Sequence, residues 1–172
     1  MSNIYFASDM HFGDAKILKL SQRPFRSVPH MNARLIYHWN QVVQPSDLAY
    51  YIGDMTYHGS KRELGFWLDK LNGEIIFVKG NHDKTSELKE CGVEYHSSLF
   101  VSLGGYDFLL KHQPDKANTG NYDWLIHGHT HKSFRQSIRL INWEQRRINV
   151  NVEATGYRPI SLDQILDKIR KQ

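Results

Sequence analysis

Apolar residues in this chain fall into short runs, and most of those runs end in a carboxylate, an amide or an imidazole. The runs are Ile4–Ser8, Leu48–Ile52, Ile75–Val78, Leu99–Leu103, Tyr106–Leu110 and Trp124–His127. Runs of this length without alternation read as strands covered on both faces. Arg147–Glu153 instead alternates around Ile148, Val150 and Val152, which predicts a half-exposed strand. Gly104-Gly105 between two apolar runs predicts a hairpin. Helical spacing of Met31, Leu35, Trp39 and Val42 predicts a helix over Met31–Val43. Ser60-Lys61-Arg62-Glu63 has capping-box form and opens a helix through Asn72, with Leu64, Trp67, Leu68 and Leu71 inward. A short helix follows near Ser86–Glu90, and Ser161 caps a last one with Leu162, Ile165, Leu166 and Ile169 inward. Residues 132–146 are polar and read as a loop. Alternating strands and helices place the chain in the α/β class.

The run endings carry the chemistry. After Ile75–Val78, Gly80 permits a sharp turn into Asn81, His82 and Asp83: a neutral oxygen, a titratable nitrogen, and a carboxylate able to orient that histidine. Asp9 and His11 follow the first run; two residues apart on extended chain, they can converge on one ion. Asp54 follows the second run, His112 the fifth, and His129 and His131 the sixth. Asp9, His11, Asp54, Asn81, His112, His129 and His131 form a donor set of nitrogen and oxygen without sulfur. Such a set suits manganese first, with iron, zinc or nickel as alternatives, better than calcium or magnesium. It is too large for one tetrahedral ion and fits two ions sharing a carboxylate.

A length of 172 residues fits one domain spanning 1–172 with a core that needs no disulfide. The lone cysteine, Cys91, fits a reducing, cytoplasmic compartment. The start has no basic region before an apolar core, and no stretch is long enough to span a membrane. A net charge of +4 mildly favours anionic partners but does not establish nucleic-acid binding.

In these blocks the sequence resembles the calcineurin-like metallophosphoesterases. Asp9-Met-His11, Gly53-Asp54, Gly80-Asn-His-Asp83, His112 and Gly128-His-Thr-His131 stand in family order over nearly the whole chain. Ser8-Asp-Met-His-Phe-Gly13, Arg23-Pro-Phe25 and Glu153-Ala-Thr-Gly-Tyr-Arg-Pro-Ile-Ser161 resemble the small bacterial and phage members. The resemblance implies a sandwich of two mixed β-sheets flanked by helices, with metals at one edge. It implies that Asp9, His11, Asp54 and His131 hold one metal and that Asp54, Asn81, His112 and His129 hold the other. It implies that a hydroxide held between the metals attacks phosphorus and that His82 faces the scissile phosphate. Asp83 is then expected to fix the His82 tautomer. Two positions depart from the pattern. Asp14 stands where close relatives carry histidine, which either brings negative charge near the phosphate or recruits a basic neighbour. Asp54 and Tyr57 have the spacing of purple acid phosphatases, but His11 already occupies the position tyrosine replaces there, so Tyr57 reads as a packed residue.

The expected activity is hydrolysis of small nucleotide-like or cyclic phosphodiesters, with phosphomonoesters as the alternative and long nucleic acid not favoured. Arg23, Lys116 and Arg158 are candidate substrate contacts. A non-catalytic binding module on the same fold would show eroded ligands, and all seven are present. The other histidines, His30, His38, His58, His96 and His127, read as surface, capping or hydrogen-bonded core residues.

Overall fold

Strands β1 (Ile4–Ala7), β2 (Leu48–Tyr51) and β3 (Glu74–Val78) divide their side chains between two cores, which is why their apolar runs do not alternate. The computed structural model describes residues 2–57, 63–116, 120–132 and 138–171. Within it Ala7, Ala49, Tyr51 and Phe77 face one core, whereas Phe6, Tyr50, Ile52 and Val78 face the other. Helices α1 (Ala15–Leu20), α2 (Val28–Asn40), α3 (Leu64–Leu68) and α4 (Thr85–Glu90) close the first core through Ile17, Met31, Leu35, Trp39, Trp67 and Leu88. The second core is closed by the other sheet, through Phe108, Leu110, Ile126 and Ile148, and by α5 (Leu162–Arg170).

Adding β4 (Tyr95–His96) and β10 (Ile160–Ser161) gives a first sheet of order β10-β1-β2-β3-β4, parallel except for β10. The second sheet contains β5 (Leu99–Leu103), β6 (Tyr106–Leu110), β7 (Trp124–His127), β8 (Ile141–Asn142) and β9 (Arg147–Asn149), in the order β5-β6-β7-β9-β8. Its inner strands β6, β7 and β9 are parallel and its outer strands antiparallel. The sandwich of two mixed sheets with flanking helices is therefore the fold found. Because the central strands of both sheets are parallel, their carboxyl ends come to one edge. There the sheets are stitched together: the Ser8 N–H donates to Val150 O at 3.1 Å and the Val152 N–H to Ser8 O at 3.2 Å.

Four readings differ from the structure, and the first is that β8 (Ile141–Asn142) lies within the 132–146 stretch read as a loop. The helix expected over Met31–Val43 begins at Val28, because the Ser27 hydroxyl accepts the His30 N–H and Pro29 suits the first turn. Helix α3 ends at Leu68 and not near Asn72, and its expected cap at Ser60 lies outside the described residues, as does His58. Within the stretch expected to be half exposed, residues 148–152 are all buried, without alternation. Asn149 and Asn151 turn their amides onto Thr130 O, at 3.1 and 3.4 Å, so the polar side of this strand packs on the loop after β7. Ser161 and Gln164 form the reciprocal cap that opens α5, as expected.

Candidate metal centre

The strand tips reach the shared edge through unusual backbone. Asp9, His11, Asp54 and His129 all have positive φ, between 50° and 66°, which non-glycine residues seldom adopt. The left-handed turn lets each side chain swing back over the sheet edge. Two glycines then permit the close approach. A Cβ on Gly80 would stand 2.1 Å from Asp54 Oδ1, and one on Gly128 would stand 2.4 Å from Asp9 Oδ2. Glycine before Asn81 and before His129 is thus a packing requirement of the neighbouring carboxylate.

The side chains so delivered form two groups, Asp9–His11–His131 and Asp54–His112–His129, whose ligand atoms within each group lie within 4.8 Å of one another. Asp54 Oδ2 links them, 3.8 Å from His11 Nε2 on one side and 3.1 Å from His112 Nε2 on the other. Asp54 Oδ1 accepts the His82 N–H at 2.9 Å, which fixes the carboxylate plane. Asp9 Oδ1 lies 3.4 Å from His131 Nε2 and 3.9 Å from His11 Nε2, and both Asp9 oxygens face the His129 N–H.

Both ring nitrogens of His11 and Nε2 of His112 are buried without an aligned hydrogen bond. A buried polar atom in that state costs about 1–3 kcal/mol unless something else occupies it. Imidazoles aimed at carboxylates across 3–4 Å gaps, with no aligned hydrogen bond, fit a cation held between them. The charge state agrees. Burial pushes the His112 and His131 imidazoles down, but Asp54 beside the first, and Asp9 with Glu153 beside the second, hold each at about 9. Burial takes His11 down to about 4. Divalent cations bound here would compete with protons for those two imidazoles.

The supporting residues were the least visible in sequence. Glu153, noted above only as part of a motif, has a fully buried side chain, with Oε1 2.9 Å from His131 Nδ1 and 3.0 Å from Arg23 Nε. Its Oε2 accepts the Lys132 N–H at 2.7 Å. A carboxylate behind a ligating histidine fixes the proton on Nδ1 and leaves Nε2 to the metal. Arg23, expected to contact substrate, is turned inward: its Nη1 and Nη2 donate to Met10 O and Asp9 O at 2.8 and 2.7 Å. It braces the left-handed β1 tip and neutralises Glu153. His112 has a neutral counterpart, since its Nδ1 lies 2.8 Å from Ile52 O.

Asp83 also departs from expectation. Instead of orienting His82, its carboxylate accepts N–H groups from Asp54 and Gly80, each at 2.7 Å, and from Met55 at 3.1 Å. It clamps the β2 tip to the β3 tip. Burial, with Asp54 nearby, pushes its carboxyl up to about 6. Asp14 does not approach the open side of the site: it caps α1 through Lys16 N–H and faces His11 Nδ1 at 3.8 Å. His82 packs edge-on against the His11 ring, centroids 5.3 Å apart, and is half-buried. Asn81 is exposed at the rim, its Oδ1 3.5 Å from Gln113 Nε2. Arg158 is exposed in a separate cleft with Tyr5, Thr155 and Lys168, and no metal-group residue lines that cleft. The Lys116 side chain lies outside the described residues. His127 is a buried core residue with Nδ1 2.8 Å from Gly128 O, and Tyr57 is half-buried and belongs to neither group. Among the described residues no helix is long and apolar enough to cross a membrane.

A family model for the calcineurin-like phosphoesterase superfamily domain matches residues 3–152. An uncharacterised protein of Methanocaldococcus jannaschii is 44% identical over 176 residues, covering 99% of this chain and 93% of that one. A solved structure of a protein of unknown function from Aquifex aeolicus superposes with a TM-score of 0.79 at 31% identity, covering 98% of this chain and 100% of the other. An archaeal phosphodiesterase shares the fold at a TM-score of 0.51 and 20% identity, over 93% of this chain and 99% of its own.

Proposed function

The chain belongs to the calcineurin-like phosphoesterase superfamily, and we propose that within it the protein is a dinuclear-metal phosphodiesterase acting on small nucleotide-like esters. The observation that carries this reading is the position of Asp54 Oδ2 between imidazoles of both groups, where one carboxylate can serve two ions. Asp9, His11, His131 and Asp54 would hold one ion; Asp54, Asn81, His112 and His129 would hold the other. When bound, such a pair lowers the pKa of water and offsets phosphoryl charge.

The chain's own residues do the rest. His82 stands against His11 at the open side, where its imidazole faces the scissile phosphate and protonates the leaving oxygen. Asp83 keeps the His82 and Asp54 tips in register through its three backbone contacts. Arg23, engaged by Asp9 O and Met10 O, supports the turn that carries Asp9 and leaves substrate contact to other residues. Manganese-loaded protein should hydrolyse bis(p-nitrophenyl) phosphate in preference to p-nitrophenyl phosphate, and chelation should abolish both activities. A clear monoester preference would shift the assignment to phosphomonoesterase, and full turnover after chelation would end the metal reading.

Glu153 gives a separate handle. Exchange of Glu153 for glutamine should weaken metal binding about 10- to 100-fold, the usual cost of losing a carboxylate behind a ligating histidine. Titration calorimetry reads the affinity, and long-range 1H–15N spectra read the His131 tautomer. Unchanged affinity together with an unchanged tautomer would reduce Glu153 to a packing role.

A further inference from the structure

Beside the Asn81 and His112 flank of the centre, a cleft of about 290 Å³ opens between the two sheets. Lys79 and Asn81 from the β3 tip form one wall, Lys111, His112 and Gln113 from the β6 tip form the other, and Ser97 closes it. Among the described residues that line it, two carry an ammonium group and none carries a carboxylate. The metal groups next door have the opposite character, with Asp9, Asp54, Asp14 and Glu153 gathered around them. Both lysines have anchored stems. The Lys79 N–H donates to His96 O at 2.8 Å and the Lys111 N–H to Ile126 O at 3.0 Å, so each side chain leaves from paired backbone.

The cleft is smaller than most of the roughly 300–1,000 Å³ pockets that bury a drug-sized molecule. A cleft of this size takes one charged group of a substrate together with its water. Lysine ammoniums with neutral amide and hydroxyl donors suit phosphate oxygens. The cleft lies to one side of the two groups and is not lined by His82, His11 or Asp54, so its cations address a neighbour of the scissile phosphate.

We propose that Lys79 and Lys111 form a subsite for a second phosphate of the substrate, one nucleoside or one anhydride link from the phosphate that is cleaved. This rests on the phosphodiesterase reading and adds the substrate class: esters carrying two phosphates are preferred over isolated ones. The test compares the thymidine dinucleotide TpT with pTpT and TpTp on manganese-loaded protein, and measures pyrophosphate against orthophosphate binding by calorimetry. One phosphorylated dinucleotide should exceed TpT about tenfold in kcat/KM, mainly through KM; that result identifies a nucleic-acid-type spacing. An anhydride spacing gives no gain with pTpT or TpTp, but pyrophosphate then binds about tenfold tighter than orthophosphate. In either case the advantage should fall toward one in a Lys79→Gln/Lys111→Gln protein. It should also fall in Ser97→Asp, which places a negative charge at an exposed rim position. Equal kcat/KM for all three dinucleotides with no pyrophosphate advantage would overturn the subsite, as would an advantage that survives these variants. Loss of the diesterase reading has a different signature, an absence of TpT and bis(p-nitrophenyl) phosphate hydrolysis, and the pyrophosphate measurement then still decides the cleft.

Discussion

Replacing Asp54 with asparagine should remove bound metal and activity together. The substitution keeps shape and backbone: asparagine tolerates the left-handed conformation at φ 58°, and an amide oxygen can still accept the His82 N–H. It takes away the charge at Oδ2, the atom nearest imidazoles of both groups. Removing one partner from a buried charged pair costs about 3–5 kcal/mol, or on the order of 10²–10⁴ in affinity. Metal analysis of dialysed protein should therefore fall well below two ions per chain, with turnover lowered at least as much. An Asp54→Asn protein with full metal and full rate would refute the shared-carboxylate site.

His82→Ala should behave in the opposite manner, holding its metal while losing rate about 10²- to 10⁴-fold, the usual contribution of a positioned acid or base. The argument is geometric: His82 belongs to neither group and lies edge-on to the His11 ring. Its backbone N–H, which holds Asp54, survives the substitution. Metal content and kcat are measured on the same preparation. Parallel loss of both would make His82 a ligand and require the donor sets to be redrawn.

The two groups were legible because each donor sits directly at the end of an apolar run, and parallel strands bring such ends to one edge. Asp9, Asp54, His112 and His129 could be placed on that logic alone. Glu153, Arg23 and Asp83 could not. Glu153 meets His131 across 22 positions, in a stretch whose alternation suggested a solvent face. The amides of Asn149 and Asn151 occupy that face, and sequence pattern does not separate an amide facing water from one facing a buried loop. Arg23 read as a cation in a loop because the carbonyls it holds belong to a tip whose turn depends on positive φ. Asp83 failed for the related reason that adjacency to His82 suggested contact, whereas its carboxylate is taken up by the N–H groups of Asp54, Met55 and Gly80. Helix α3 was overestimated because Leu71 is buried by a turn, with no helical face extending to it.

The left-handed conformation of Asp9, His11, Asp54 and His129 has a bearing on how these positions tolerate change. Asparagine and glycine can inherit such a turn at little conformational cost, whereas valine and isoleucine resist it. Soluble yield across a library of replacements, read with no substrate and no metal added, would therefore already discriminate among residues at these sites. Selection for folding and selection for chemistry act on the same four codons, and the first narrows the choices left to the second.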